Sequence, residues 1–229
     1  FITQWVDTSV VYHFFDYLPS FFINNYSEGA GQVKAEFIAN MDALYIIIFQ
    51  ILVSTIVMKL KPLQSMTIGF LVCTIGMSLT LVSQNVIFTL VAILIFWSWR
   101  NGWLPKITEY IGRIAPADKK GVYMGYSFIP VFIGSIFAGI ISGNIYQSLS
   151  DKTSIMKLEA AKQGVAMTGK SINDNFDALA TKMNMSANEL TNYLWDKYEP
   201  SSIWMVIFGV GLVAVIALFL YDKFAMKKA

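Results

Sequence analysis

The 229-residue chain is dominated by apolar residues: 55% are hydrophobic, 14% are charged, and the mean hydropathy is +0.54. These residues occur in blocks long enough to cross hydrocarbon, which indicates an integral membrane protein. A net charge of +2 without a lysine-rich tract argues against nucleic acid as a partner. The single cysteine, Cys73, excludes an intrachain disulfide framework and disfavours a thiolate metal site.

Six segments reach the roughly 20 residues that a membrane-spanning helix needs. They cover about 1–24, 37–58, 64–83, 86–111, 122–147 and 202–221. We therefore predict an all-α membrane protein with six transmembrane helices, and this even number places both chain ends on one side. Phe1 lies in an apolar segment without a charged n-region, so we expect further sequence upstream.

Lysines and arginines predict the orientation, because short cytoplasmic loops carry an excess of them. One group crowds beside helix ends: Lys59, Lys61, Arg113, Lys119, Lys120, Lys223, Lys227 and Lys228. The other is mostly diluted through one long acid-balanced segment: Lys34, Lys152, Lys157, Lys162, Lys170, Lys182 and Lys197. Because the two groups hold nearly equal numbers of basic residues, the crowding of the first group beside helix ends decides the orientation. We place the first group and both chain ends in the cytoplasm, with the protein in a bacterial inner (plasma) membrane.

Composition divides the chain into three parts. Residues 1–147 hold the first five predicted transmembrane helices, 148–201 form a polar extracytoplasmic loop, and 202–229 hold the last helix and a cytoplasmic tail. Within the loop, Ser186 and Glu189 have capping-box spacing, which predicts a short helix. The loop either covers the mouth of the bundle or is a solvated insertion without a functional role.

Small residues recur every fourth position in the fifth predicted span. They form two rows, Gly134 with Ala138 and Ser135 with Gly139 and Gly143. Because small residues at this spacing let helices approach closely in lipid, the rows predict a helix–helix contact. Such a contact either serves packing alone or also has a functional role.

Two neighbouring stretches combine basic, proline and glycine residues in a distinctive order. Residues 111–126 hold, in order, Arg113, Ala115-Pro116, Gly121 and Met124-Gly125, and residues 133–139 add Gly134 and Ala138-Gly139. This pattern resembles the join between helices ten and eleven of the proton-coupled oligopeptide transporters of the major facilitator superfamily, and residues 42–48 resemble that family's helix-eight Asn-Pro-Leu-Phe-Ile-Ile run. The resemblance implies a C-terminal six-helix half, family helices seven to twelve. The N-terminal half is then missing, and the substrate site opens alternately to each side.

The chain departs from this family at informative positions. Counting back from Pro116 puts Pro105 on the family's helix-ten proline and Arg100 on the glutamate near its peptide site, which reverses the charge. Asp42 stands where the family has an asparagine, and Ala43 where it has a proline. An anionic or zwitterionic solute therefore fits Arg100 as well as a peptide does.

Arg100 lies about 15 Å from either end of its apolar span. A charge at that depth is expensive and usually marks a pathway or a partner. Trp97 and Trp103 can hold the guanidinium over a ring face, and Asp7 or Asp16 can supply a carboxylate at comparable depth. Arg100 then either grips an anionic substrate group when its internal partner releases it, or forms a permanent ion pair that fixes packing.

A polar cluster in the first predicted span offers a second candidate site. Tyr12, His13 and Asp16 share one helical face, whereas Asp7 is nine residues from Asp16 and falls on the opposite face. A neighbouring carboxylate favours protonated His13 near neutral pH. The cluster is either a protonation switch or a hydrogen-bonded structural pair near the outer mouth.

Other polar and aromatic residues have simpler interpretations. Lys106, Glu109 and Arg113 lie three and four residues apart, which predicts interfacial salt bridges or a cytoplasmic gate. Tyr45 and Gln50, expected on opposite sides of the second span, are candidate polar liners. The ordinary place for three of the tryptophans is the membrane interface: Trp5, Trp195 and Trp204.

The sequence shows no nucleotide-binding loop, no metal-ligand spacing and no nucleophile beside a base, so we predict no enzyme, no cofactor and no metal site. We predict a secondary active, proton-coupled symporter of small solutes such as di- or tripeptides. Its partners are the bilayer, the substrate, protons and the N-terminal half. The alternatives are a transporter of a non-peptide solute and a transport-inactive scaffold or receptor that docks partners through 148–201.

Overall fold

The computed structural model describes residues 1–29, 31–169 and 171–224, with only the backbone described for Trp99 and for residues 101–105. Helices dominate it, together with one two-stranded antiparallel hairpin. The elements before the first long helix are α1 (Ile2–Trp5), α2 (Ser9–Phe15), α3 (Ser20–Tyr26), β1 (Ser27–Gly29), β2 (Gln32–Val33) and α4 (Ala35–Ala39). The remaining helices are α5 (Met41–Met58), α6 (Pro62–Leu79), α7 (Val86–Ile114), α8 (Lys120–Tyr126), α9 (Phe128–Leu149), α10 (Lys152–Lys162), α11 (Ile172–Lys182), α12 (Ala187–Tyr198) and α13 (Ile203–Phe224).

Among the described residues, four stretches of helix are long and apolar enough to cross a membrane: Ala35–Met58, Pro62–Leu79, Lys120–Lys162 and Pro200–Phe224. The apolar part of the third stretch ends with α9 at Leu149, and α10 belongs to the polar part of the chain. A shorter apolar helix, Val86–Ser98, forms the first half of α7. The 29 residues of α7 span about 44 Å, which exceeds the hydrocarbon thickness. The structure is therefore an all-α arrangement compatible with a membrane protein.

The first predicted span, 1–24, is not a single helix. It is divided into α1, α2 and most of α3, with breaks at Val6–Thr8 and at Asp16–Pro19. At the first break, the Asp7 carboxylate accepts the backbone N–H of Ser9, and the Thr8 hydroxyl donates to Gln32, so side chains replace helical hydrogen bonds. At the second break, proline has no N–H to donate. These three short helices fold over one end of the bundle instead of crossing it.

The bundle is built from α5, α6, α7 and α13, with α6 packed against both α7 and α13. Two glycines allow close helix crossings. A Cβ on Gly76 would overlap the backbone of Phe96 in α7, and a Cβ on Gly211 in α13 would overlap the Thr74 side chain. The Tyr45 hydroxyl also donates to the Leu90 carbonyl oxygen at 3.2 Å, which joins the beginnings of α5 and α7.

Residues 152–198 form a compact unit, the polar domain, made of α10, α11 and α12. Each helix begins at a capping side chain, namely Asp151, Ser171 and Ser186, and the predicted capping box at Ser186 is confirmed. The apolar faces share one core that also includes a residue from α1: Trp5, Ile155, Met156, Ala160, Leu179, Ala180, Leu190 and Leu194.

Contacts assign the chain segments to the two ends of the bundle. Asp7 N–H donates to the Gln84 carbonyl oxygen, and Tyr146 near the end of α9 donates to Gln4, so residues 1–34, the α6–α7 turn and the polar domain share one end. The other end carries the basic residues of the first sequence group that are described: Lys59, Lys61, Arg113, Lys119, Lys120 and Lys223. Since α13 finishes there, the two ends of the described chain lie at opposite ends of the bundle. This differs from the arrangement expected from six spans.

The small-residue rows of α9 have no neighbour among the described atoms. A Cβ on Gly134, Gly139 or Gly143 would meet nothing within 4 Å. The close helix contact predicted for these rows is therefore not formed within the described chain, and α9 presents its apolar side chains outward.

Candidate functional site

Arg100 lies at the midpoint of α7, a helix that packs against α5 and α6. Its guanidinium carbon is 4.2 Å from the ring centroid of Trp97 and 5.8 Å from that of Phe96. Rings three and four residues before a cation reach it because helical side chains lean toward the N-terminus. Within the described residues, no carboxylate lies within 4 Å of this guanidinium. The site is therefore a cation supported by aromatic faces, and it forms no ion pair within the described part of the chain.

The carboxylates predicted to pair with Arg100 lie elsewhere. Asp7 is at the polar-domain end, where its Oδ1 accepts hydrogen bonds from Ser9 N (3.0 Å) and Gln32 Nε2 (3.1 Å). The hydrogen bond from the Ser9 backbone lowers the pKa of Asp7; burial opposes this effect, and the bond from Gln32 supports it. The prediction that Asp7 or Asp16 pairs with Arg100 is wrong for this conformation, because the broken first segment holds both acids at the end of the bundle.

His13 and Asp16 do form the predicted pair, with 3.7 Å between Nδ1 and Oδ2. However, their side chains are 77% and 56% exposed, and the ring of Tyr12 lies 6.1 Å from that of His13. The cluster is thus a surface pair on α2 rather than a polar group inside a membrane span. Of the two sequence interpretations, this geometry favours the structural pair.

Trp97 also lines a small cavity of about 10 Å³ between α5 and α7. Tyr45 and Gln50 both line this cavity, although they lie five residues, or about 140°, apart around α5. A cavity of this size holds at most about one water molecule and no solute. Asp42 lies apart from it in the first turn of α5, where its Oδ1 accepts the N–H of Ala43.

The predicted triad near the basic end is formed. Lys106 Nζ is 2.8 Å from Glu109 Oε2, and a guanidinium nitrogen of Arg113 is 2.5 Å from Glu109 Oε1. All three residues belong to α7, so the triad joins no second element and stabilises this helix alone. Trp103, the other predicted ring partner of Arg100, lies outside the residues whose side chains are described.

A larger opening lies at the polar-domain end. This polar cleft has a volume of about 830 Å³ and is bordered by α1, the start of α2, the β1–β2 hairpin, the α6–α7 turn and the polar domain. Its charged lining residues are Asp7, Glu28 and Lys152. Sequence reasoning missed the cleft, because Lys152 counted only as one of several loop lysines and residues 1–24 were expected to cross the membrane.

Lys152 has an unusual environment for a lysine. Its Nζ lies 4.6 Å from the ring centroid of Phe176 and 5.5 Å from that of Trp5, and it donates a hydrogen bond of 2.8 Å to the Thr191 hydroxyl. Burial between these groups lowers the pKa of Lys152 to about 8. Lys152 is also one of the residues that line the cleft.

A buried carboxylate organises the polar domain behind the cleft. Glu159 is fully buried, and its two oxygens accept hydrogen bonds from Lys197, Tyr198, Gln163 and Tyr193. Burial alone would raise the pKa of Glu159, but these hydrogen bonds and the Lys197 charge outweigh it and lower the pKa to about 2. The same contacts raise the pKa of Lys197. A fully paired network of this kind fixes α10 against α12.

Trp5 and Trp195 are part of this unit and not of an interfacial belt. Their rings are 5.6 Å apart, and Trp5 Nε1 donates to the Ser150 carbonyl oxygen at 2.7 Å. Trp5 is only 3% exposed, so α1 is anchored in the core of the polar domain. Trp5 also lines the polar cleft.

Comparisons with family models, curated proteins and solved structures gave no match. The resemblance of residues 111–126 and 133–139 to peptide transporters therefore remains a prediction from sequence. In the described part of the chain, no group of three or more His, Cys, Asp or Glu side chains could hold a metal ion.

Proposed function

We propose that the protein is a secondary active transporter that moves small solutes across a membrane by alternating access, as the C-terminal half of a major facilitator fold. The observation that supports this most is Arg100 at the centre of α7. Its guanidinium is 4.2 Å from the Trp97 ring and has no acid within 4 Å among the described residues. A cation at the middle of a membrane helix is expensive, and such residues usually serve transport pathways or ligands.

The geometry indicates how Arg100 would act. The Trp97 ring holds the planar guanidinium by a cation–π contact, and this leaves the N–H groups at the guanidinium edge available for a carboxylate or phosphate. A permanent internal ion pair would have occupied those donors. An anionic group on the solute is therefore the ligand that Arg100 suits best.

Proton coupling, di- or tripeptide substrates and the N-terminal partner half rest on the sequence resemblance alone. The reversal of charge at Arg100 makes an anionic non-peptide solute the alternative substrate. For orientation, the end that carries Lys59, Lys61 and Lys119 is proposed to face the cytoplasm, because basic residues crowd there. The polar domain then faces outward. A six-helix half would also require residues 1–24 to cross the membrane in another conformation.

A second candidate function is a transport-inactive scaffold or receptor that docks partners through residues 148–201. The observation that favours it is the polar domain itself, which has its own core and a fully paired Glu159. A solvated insertion would not need either feature.

Uptake by the intact protein in proteoliposomes distinguishes the two functions. A pH gradient would be imposed, and a panel of di- and tripeptides, organic anions and sugars would be offered. Gradient-dependent peptide accumulation supports the peptide branch, and accumulation of an organic anion supports the alternative substrate. If the folded protein accumulates nothing, the transporter proposal fails and the scaffold is favoured.

A further inference from the structure

The polar cleft at the polar-domain end has the dimensions of a ligand site. Its volume of about 830 Å³ falls within the range of roughly 300–1,000 Å³ that is usual for small-molecule sites. It lies beyond the apolar helices, so a ligand could reach it from water. Of the transport candidates described above, Asp7 alone lines the polar cleft among the described residues.

One wall of the cleft is positive. Lys152 Nζ donates one hydrogen bond, to Thr191, although an ammonium group has three protons to donate. No carboxylate of the described chain lies within 4 Å of it. The amide side chains of Asn188 and Asn192 border the same wall and add neutral hydrogen-bonding groups. Among the described residues, the ammonium group of Lys152 therefore has a single hydrogen-bond acceptor, and further polar groups of the cleft lining lie on the same wall.

The wall formed by the N-terminal segment and the hairpin is negative. Asp7 is fixed by the hydrogen bonds of its Oδ1 with Ser9 and Gln32, and Glu28 has no side-chain hydrogen bond to any described residue. No described lysine, arginine or histidine lies within 4 Å of either carboxylate. Each wall of the cleft thus carries charge that the chain itself leaves uncompensated.

We propose that this cleft binds a small zwitterion, with its anionic group on Lys152 and its ammonium group between Asp7 and Glu28. A ligand with only a cation would be repelled by Lys152, and one with only an anion by the two acids. A zwitterion satisfies both walls and is oriented by them. The inference goes beyond the proposed transport function, because binding at this end of the bundle does not require movement across the membrane.

The test is equilibrium binding by calorimetry to the full chain in detergent micelles. The probes are γ-aminobutyrate and ε-aminohexanoate, with ε-acetamidohexanoate as the analogue without a cation and ε-aminohexanamide as the analogue without an anion. We expect at least one of the two amino acids to bind about tenfold or more tightly than either analogue, since each charge-assisted contact is worth about that factor. The proposal is overturned if neither amino acid binds, or if neither binds more tightly than the two analogues.

Substitutions assign the walls. Lys152→Met keeps the packing against Trp5 and should weaken the zwitterion about tenfold while leaving ε-aminohexanamide unchanged or tighter. Glu28→Gln, at an exposed position, should weaken the zwitterion and ε-aminohexanamide but not ε-acetamidohexanoate. Lys157→Met, outside the cleft on the same helix, is the matched control. If the wild type, Lys152→Met and Glu28→Gln bind the zwitterion with equal affinity, the assignment of the two walls is contradicted. If the wild type binds the zwitterion but shows no uptake of any solute, only the transporter proposal fails.

A lipid headgroup could present the same two charges. Glycerophosphoethanolamine serves as the probe for that source. Tighter binding of this compound than of either amino acid assigns the cleft to a phospholipid headgroup, and the reverse order assigns it to a free solute. In both cases the Lys152→Met variant should bind the preferred compound more weakly than the wild type does.

Discussion

Replacing Glu159 by glutamine should destabilise the polar domain by about 3 kcal/mol at neutral pH. The fully buried carboxylate has a pKa lowered from 4.5 to about 2 by its hydrogen bonds and by Lys197. That difference corresponds to about 3 kcal/mol, at about 1.4 kcal/mol for each tenfold change in proton affinity. The estimate agrees with the roughly 3–5 kcal/mol lost when one partner of a buried ion pair is removed.

Hydrogen exchange of the full-length protein measures this loss directly. Amides of α10 and α12 that exchange by opening of the domain should exchange about a hundredfold or more faster in Glu159→Gln, while α5 and α6 remain unchanged. Glu199→Gln is the matched control, since the side chain of Glu199 is exposed and has no described hydrogen bond. Unchanged exchange in α10 and α12, or an equal effect of Glu199→Gln, would refute the reasoning.

The same carboxylate determines the acid sensitivity of the domain. Because its folded pKa lies below the ordinary value of 4.5, its stabilisation is complete above that pH and is lost as the pH falls toward about 2. Thermal unfolding between pH 6 and pH 3 should therefore show a midpoint that falls steeply below about pH 4.5. The Glu159→Gln variant should have a lower unfolding midpoint at pH 6, and its midpoint should lack the steep fall below about pH 4.5.

Two further substitutions test local packing. Ser186→Ala should lower the free energy of unfolding of the polar domain by about 1 kcal/mol, because the Ser186 hydroxyl accepts the backbone N–H of Glu189. Amide hydrogen exchange should accelerate first in α12, and faster exchange that begins in α11 would argue against this cap. Gly76→Ala should lower the free energy of unfolding by about 1–3 kcal/mol in a detergent unfolding titration, because a Cβ would overlap the Phe96 backbone. Gly134→Ala is the control and should leave this free energy unchanged. Equal effects of the two substitutions would contradict the close crossing of α6 and α7.

Local signals in the sequence predicted local structure well. The capping box at Ser186 depends on residues three apart, and it forms as expected. Hydropathy located α5, α6 and α13, because continuous apolar runs of this length have few other uses. The proximity of Trp97 to Arg100 also follows from helical spacing, since both lie on one regular helix.

Long-range contacts explain what the sequence did not predict. Residues 1–24 are apolar enough to suggest a span, but Trp5 packs against Ile155 and Thr8 bonds to Gln32, and neither contact leaves a periodic pattern. The same limit applies to Lys152, whose aromatic neighbours come from α1 and α11. Glu159 likewise looked like one acid among several in a polar loop, and only the fold shows that it is buried.

A substrate-binding role for Arg100 is best examined through the initial uptake rate of the Arg100→Gln variant in proteoliposomes, for whichever solute the wild type accumulates. The account predicts near-complete loss of uptake with normal folding and insertion. It further predicts partial activity in Arg100→Lys, which keeps the charge but lacks the planar fork, and wild-type activity in the exposed control Lys119→Gln. Uptake at the wild-type rate in a folded Arg100→Gln protein would contradict a substrate-binding role for this arginine.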